Sequence, residues 1–137
     1  MNRLVDNLNE AKIFYLATVG DQKPNVRPIG GKPALNEKGF VEKDGKIYIY
    51  TDSKKPMYKQ MQENSNIAMT FLVSAGFVRV AAKAVFDDNI DIKKEMLDEN
   101  KSLTQIYQVD DEFFKIYYLS DIEAFLYAKG QAPIELS

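Results

Sequence analysis

The chain has 137 residues, 45% of them hydrophobic and 28% charged, and its eighteen basic and twenty acidic side chains leave a net charge of −2. This fits one folded domain over residues 1–137: too hydrophobic for a disordered chain, too short for a two-domain enzyme, and with no overall attraction to nucleic acid or anionic membrane. There is no cysteine and no histidine. Disulfides, thiolate and imidazole catalysis, Ser–His–Asp triads and the usual zinc sites are therefore excluded. Proton transfer near neutral pH would fall to a shifted carboxylate, a lysine, a tyrosine or a bound cofactor.

Leu4, Val5, Leu8 and Ala11 recur at helical spacing and predict a short amphipathic helix over residues 3–12. Ile13–Val19 is rich in β-branched and aromatic residues and stops at Gly20-Asp21, as a strand entering a turn does. Asn25–Gly30 is the returning strand, and Pro24 and Pro28, which lack a backbone donor, mark it as an edge or interrupted strand. Turn signals at 36–39 and 43–45 bracket Phe40 and Val41. Lys46–Thr51 alternates Ile47 and Ile49 against Tyr48 and Tyr50, and Asp52-Ser53 followed by Lys54-Lys55-Pro56 predicts a capped helix running to Glu63. Ile67–Val73 and Phe77–Phe86 form a hairpin, residues 91–107 a helix, and Phe113–Leu119 and Glu123–Tyr127 two last strands.

Mostly hairpin-connected strands in so short a chain predict a mainly β (α+β) fold: an antiparallel, six- to seven-stranded split barrel with a few short helices. The strongest apolar runs, Ile13–Val19 and Ile67–Val73, have seven residues each, against about 20 for a membrane span. With no signal-peptide pattern at the N-terminus, a cytoplasmic protein without membrane contact is expected.

Charge is uneven. From Gln22 to Lys59 nine basic residues face four acidic ones, while much of the acid lies in residues 87–112. An anion site in the first half follows as a candidate. In Thr51-Asp-Ser-Lys-Lys-Pro56 a strand delivers Thr51 to a helix mouth carrying the Ser53 hydroxyl and the Lys54 and Lys55 ammoniums, a setting suited to phosphate. The same residues also read as a helix cap beside a solvated lysine pair. In Val26-Arg-Pro-Ile-Gly-Gly31, Arg27 is one of three arginines in the chain. Its planar fork suits phosphate or a flat ring, and Pro28 and Gly30 weaken ladder pairing. The same residues also read, and by themselves somewhat more readily, as a bulged edge strand with Arg27 in solvent.

Taken in order, Phe14-Tyr-Leu-Ala-Thr18, Val26-Arg-Pro-Ile-Gly30, Ile47-Tyr-Ile-Tyr-Thr51, Ser53-Lys-Lys55, Val78-Arg-Val-Ala-Ala-Lys-Ala84, Ser102-Leu103 and Tyr107-Gln-Val-Asp-Asp111 resemble the pyridoxamine 5′-phosphate oxidase-like family of FMN-binding split barrels, in the style of its small general-stress and nitroimidazole-resistance-like members. The resemblance implies a homodimer with FMN at the subunit interface and hydride transfer through flavin N5 to or from a small molecule. It places Arg27 toward the phosphate, Pro28, Ile29 and Gly30 along the ring, and Tyr50 and Thr51 beyond them. Ser53, Lys54 and Lys55 grip the phosphate, and Lys32 takes the position of a substrate-contacting lysine.

The chain departs from pyridoxamine phosphate oxidases proper at Phe77, where they place a glutamine, and in residues 91–107, which hold no arginine. The nitroimidazole-resistance pattern includes a histidine that is missing. Two other readings stay open: a flavin- or nucleotide-binding module without turnover, and an OB-like barrel for single-stranded nucleic acid, against which the net charge speaks. The residues leave the substrate, the electron donor and the choice between FMN and a deazaflavin undetermined.

Overall fold

Alternation with a period of two sets the architecture. In the strand holding Ile67, Met69 and Phe71 these three side chains are buried while Ala68, Thr70 and Leu72 point outward, and the next strand does the same with Val78, Val80, Ala82 and Ala84. The computed structural model describes residues 3–11, 13–29 and 37–137. Its elements are α1 (Arg3–Glu10), β1 (Phe14–Gly20), β2 (Lys23–Ile29), β3 (Phe40–Lys43), β4 (Lys46–Asp52), α2 (Pro56–Glu63), β5 (Asn66–Val73), β6 (Gly76–Asp87), α3 (Ile90–Glu99), a 3₁₀ helix (Lys101–Gln105), β7 (Phe114–Ala128) and β8 (Ile134–Glu135).

All ladders are antiparallel, in the order β2-β1-β5-β6-β7-β4-β3, with β8 paired to β7. The sheet is open at β2 and β3, consistent with the mainly β split barrel that the sequence predicts. Two-residue turns join β1 to β2 at Asp21-Gln22 and β3 to β4 at Asp44-Gly45, each with both residues at positive φ. Such turns match the twist of the strands they connect. At the start of β6 the backbone of Gly76 takes φ +156°, and a Cβ there would lie 2.1 Å from the Tyr127 carbonyl oxygen, so no other residue fits.

Three details differ from the sequence reading. The two last strands are one, β7, because the break between them is only a β-bulge: the register shifts where Ala82 faces Asp121 (φ +50°) and Ile122, and pairing with β6 resumes on either side. The two-residue β8 brings the strands to eight, and it is too short to show alternation. The helix expected over 91–107 ends at Glu99, where the buried Asn100 side chain accepts from the Gly39 N–H at 2.8 Å and donates to the Met96 carbonyl at 3.1 Å. The chain then continues as the 3₁₀ helix.

Two buried clusters result. The barrel interior joins Leu16, Ile47, Ile49, Met61, Phe71, Val78 and Tyr117. On the other face of β3, β4 and β7, Ile92, Met96 and Leu97 of α3 pack with Leu103, Tyr107, Phe114 and Ile116. Helix α2 inserts Met57 and Met61 into the interior and packs against both β1 and β4, so it spans the mouth between strands far apart in the sheet. Among the described residues, no helix is long and apolar enough to cross a membrane.

Candidate functional site

Strand β4 ends between the two clusters, and its alternation sends Thr51 toward the barrel interior and Asp52 toward the α3 side. Both are buried. Neither Asp52 nor Ser53 caps the following helix as the sequence suggests. Helix α2 begins only at Pro56, its N-cap is Lys55, and no side chain caps it. The reason is that Asp52 is spent on the turn itself. Its Oδ1 accepts from the Lys54 N–H at 2.8 Å, and its carbonyl accepts from the Lys55 N–H at 2.9 Å. The Ser53 N–H donates to the Phe113 carbonyl at 3.0 Å.

The amides of residues 53–55 are thus satisfied within the protein, and the side chains are left to meet a ligand. Ser53 is half-buried, while Lys54 and Lys55 are exposed and form no ion pair among the described residues. The Lys54 ammonium lies 4.5 Å from the Phe113 ring centroid. The second Asp52 oxygen accepts from the buried Tyr107 hydroxyl at 2.7 Å. Burial works against the Asp52 charge, but the Tyr107 and Lys54 hydrogen bonds and the two lysine charges outweigh it and hold the carboxyl below its ordinary value. For Tyr107, burial and the same carboxylate push the phenol far above its ordinary value.

Arg27 sits on the edge strand β2, which pairs with β1 in unbroken register from Lys23 to Ile29. The strand has no bulge, and the arginine is not in solvent. Its Nη1 donates to the Leu16 carbonyl at 3.2 Å and to Thr18 Oγ1 at 2.9 Å, and its Nη2 donates to Gln60 Oε1 of α2 at 3.4 Å. The Thr18 hydroxyl donates to the same Gln60 oxygen at 2.6 Å. Burial lowers the Arg27 pKa from its ordinary value, though arginine remains a cation. Pro28 is exposed, Ile29 is half-buried against the interior cluster, and Tyr50 is half-buried beside the α3 cluster. Burial, and then the Glu37 charge, raise the Tyr50 phenol. Gly30 and Lys32 lie outside the described residues.

Two hydroxyls stand out on the interior side. Thr51 Oγ1 and the Tyr117 hydroxyl are buried with no hydrogen-bond partner among the described residues. They share a face, because Thr51 pairs with Lys115 and Ile49 with Tyr117 along the β4–β7 ladder. A buried orphan hydroxyl costs about 1–3 kcal/mol. Burial raises the Tyr117 phenol, and the Arg27 charge partly opposes that rise.

The arginine strand and the lysine-bearing helix therefore meet, through Gln60, while the Lys54 ammonium is placed on Phe113 instead. Thr18, Gln60, Asp52 and Tyr107 complete this arrangement; the sequence marks Asp52 only as a helix cap and Thr18 and Tyr107 only as parts of family-like segments, and assigns none of the four this role. An Asp two residues before a lysine, at a strand end, is a recognisable turn signal for Asp52. Nothing local marks the other three for it.

Comparison with known proteins supports a family assignment. The chain is similar to a NimC/NimA family protein from Clostridium acetobutylicum, at 28% identity and TM-score 0.86, covering 99% of this chain and 90% of that one. General stress protein 26 from Bacillus anthracis shares the fold at 16% identity and TM-score 0.71, covering 98% and 96%. A heme-binding protein from Mycobacterium smegmatis does so at 9% identity and TM-score 0.69, covering 98% and 57%. No curated protein sequence matches. The family model described as pyridoxamine 5′-phosphate oxidase matches residues 2–108. A match over so much of the chain, on this open antiparallel barrel, makes the protein a member of the pyridoxamine 5′-phosphate oxidase family, whose fold is in general a flavin-binding one.

Proposed function

We propose that the chain binds FMN and serves as an oxidoreductase for a small molecule, acting as a homodimer with the cofactor at the subunit interface. The observation that carries this reading is the hydrogen bond from Arg27 to Gln60, because it brings the arginine strand against the helix that follows directly on the Ser53-Lys54-Lys55 turn. The residues present suit the cofactor: mobile cations at an uncapped helix start answer a phosphate, and the buried Thr51 hydroxyl, three residues before Lys54, has no partner among the described residues. On this reading Lys54, Lys55 and Ser53 hold the phosphate. Arg27 fixes the strand whose Pro28, Ile29 and Gly30 border the ring, Tyr50 and Thr51 continue the wall, and Lys32 stands toward the substrate. Bound flavin supplies hydride transfer, which needs no imidazole. Heme is the poorer fit, since the common His and Cys axial ligands are absent from the chain.

The outer face of the sheet supports the dimer. Leu72 and Val26 are 75% and 71% exposed, and Tyr15 and Phe77 join them on that face. A hollow of about 380 Å³ there is lined by Phe125, Tyr127, Arg79 and Glu123 among others. Opposite charges within one apolar patch are self-complementary under a two-fold axis, so a second copy of this chain is the fitting occupant. Val26 precedes Arg27 on β2, which puts the cofactor strand at the rim of that face.

The test is direct. Purified protein incubated with FMN should show a perturbed flavin spectrum and quenched fluorescence, and a chain that leaves both unchanged does not bind it. Replacing both lysines (Lys54→Ala with Lys55→Ala) should weaken FMN by about 10- to 100-fold while riboflavin loses little. Equal losses would remove the lysines from the phosphate. Sustained turnover with a nicotinamide donor and a panel of acceptors separates an enzyme from a binding module.

A further inference from the structure

We infer that Tyr107 is a positioning residue for the phosphate end of the site: its hydroxyl holds the Asp52 carboxylate inward, so that this charge shapes the lysine turn without competing for the lysines. The inference rests on the FMN reading and goes beyond it by naming a residue that would touch no ligand.

Asp52 is the organiser of the turn. One oxygen caps Lys54, the carbonyl receives Lys55, and the other oxygen is engaged by Tyr107. Tyr107 comes from the segment after the 3₁₀ helix, 55 residues away. It is fixed there by its own N–H, donated to the Leu103 carbonyl at 2.8 Å, and by stacking on Phe114 at 5.1 Å between centroids. Its hydroxyl therefore cannot follow the carboxylate if the turn moves.

A carboxylate within two or three residues of two ammoniums is their natural partner, and an anion arriving at those ammoniums must displace it. The short Tyr107 hydrogen bond and the Lys54 cap use both oxygens, and the buried side chain (6% exposed) stays on the α3 side. The lysines are left for an external anion. Without the phenol the carboxylate has one free oxygen to turn outward onto Lys54 or Lys55.

The experiment measures FMN and riboflavin dissociation constants for full-length protein and variants, with thermal melts alongside. Tyr107→Phe should weaken FMN about tenfold and leave riboflavin within about twofold. Adding Asp52→Asn to it should restore the preference for FMN, because the amide still caps Lys54 but does not compete for ammoniums. A purely structural tyrosine would show no such rescue. An unchanged FMN-to-riboflavin ratio in Tyr107→Phe, or a double variant that fails to regain it, overturns the proposal. Should Tyr107→Phe not fold, Asp52→Asn decides: the amide keeps the Lys54 cap and cannot compete for the ammoniums, so the FMN-to-riboflavin preference should hold or rise, and its loss overturns the proposal. Unmodified protein that binds FMN no better than riboflavin overturns the parent reading, and this one with it.

Discussion

Phe71 and Leu72 are neighbours in β5, yet one is 1% exposed and the other 75%. The same division runs along β6, where Val78 and Val80 are buried and Phe77 and Arg79 point outward. The apolar side chains of the inner face are covered by α2 and the far strands. The outer face is as apolar in places but lies uncovered. Hydrophobicity alone does not distinguish the two, and strand register does: the inner face makes the fold, and the outer face is left for the second copy proposed above.

The largest effect that sharpens this contrast is on the inside. Phe71→Ala should destabilise by about 3–5 kcal/mol in chemical denaturation, through lost transfer energy and the cavity left behind. Gly76→Ala, at the hairpin that links the two strands, should cost about 2–3 kcal/mol, since its Cβ meets backbone rather than a movable side chain. On the outside, Leu72→Glu should leave monomer stability within about 0.5 kcal/mol while raising the dimer dissociation constant about 10- to 100-fold in sedimentation. A monomeric parent protein would break the comparison outright.

The smallest effect concerns acid. The folded-state pKa of Asp52 lies below its unfolded value, so the carboxylate contributes stability that is fully present above about pH 4 and is lost as pH falls through the folded value. The groups facing it are the Tyr107 hydroxyl and the Lys54 and Lys55 ammoniums. Asp52→Asn should flatten the acid limb of a stability–pH curve and leave the curve above pH 5 parallel to that of the parent. An unchanged acid limb would assign that limb to other carboxylates.

How much of this is legible in the sequence depends on the range of the interaction. The strands, their faces and the lysine turn follow from neighbours two to four residues apart, and alternation in Ile67–Val73 is enough to place Phe71 inside. The start of α2 does not follow, because Asp52 has two competing uses, capping a helix or closing a turn, and Tyr107 decides between them from 55 residues away. The Thr18–Gln60 bond likewise spans 42 residues. Spacing along a chain carries no record of such a meeting. The Arg27 strand is legible as an edge, since Pro24 and Pro28 cannot donate to a ladder on that side, but the partner of Arg27 on α2 is visible only in three dimensions.

One consequence of the way α2 lies across β1 and β4 concerns motion. Eight residues form the clasp of the barrel, joining β1 to β4 across its mouth, so any widening of that mouth would have to loosen them. An anion seated on residues 53–55 would weigh the clasp down at one end while the Arg27–Gln60 tie secures the middle. Amide exchange in α2 and in the facing part of β1 should then slow together, by a common factor, when such a ligand is added. The effect would spread from a phosphate-sized contact to the whole entrance of the molecule.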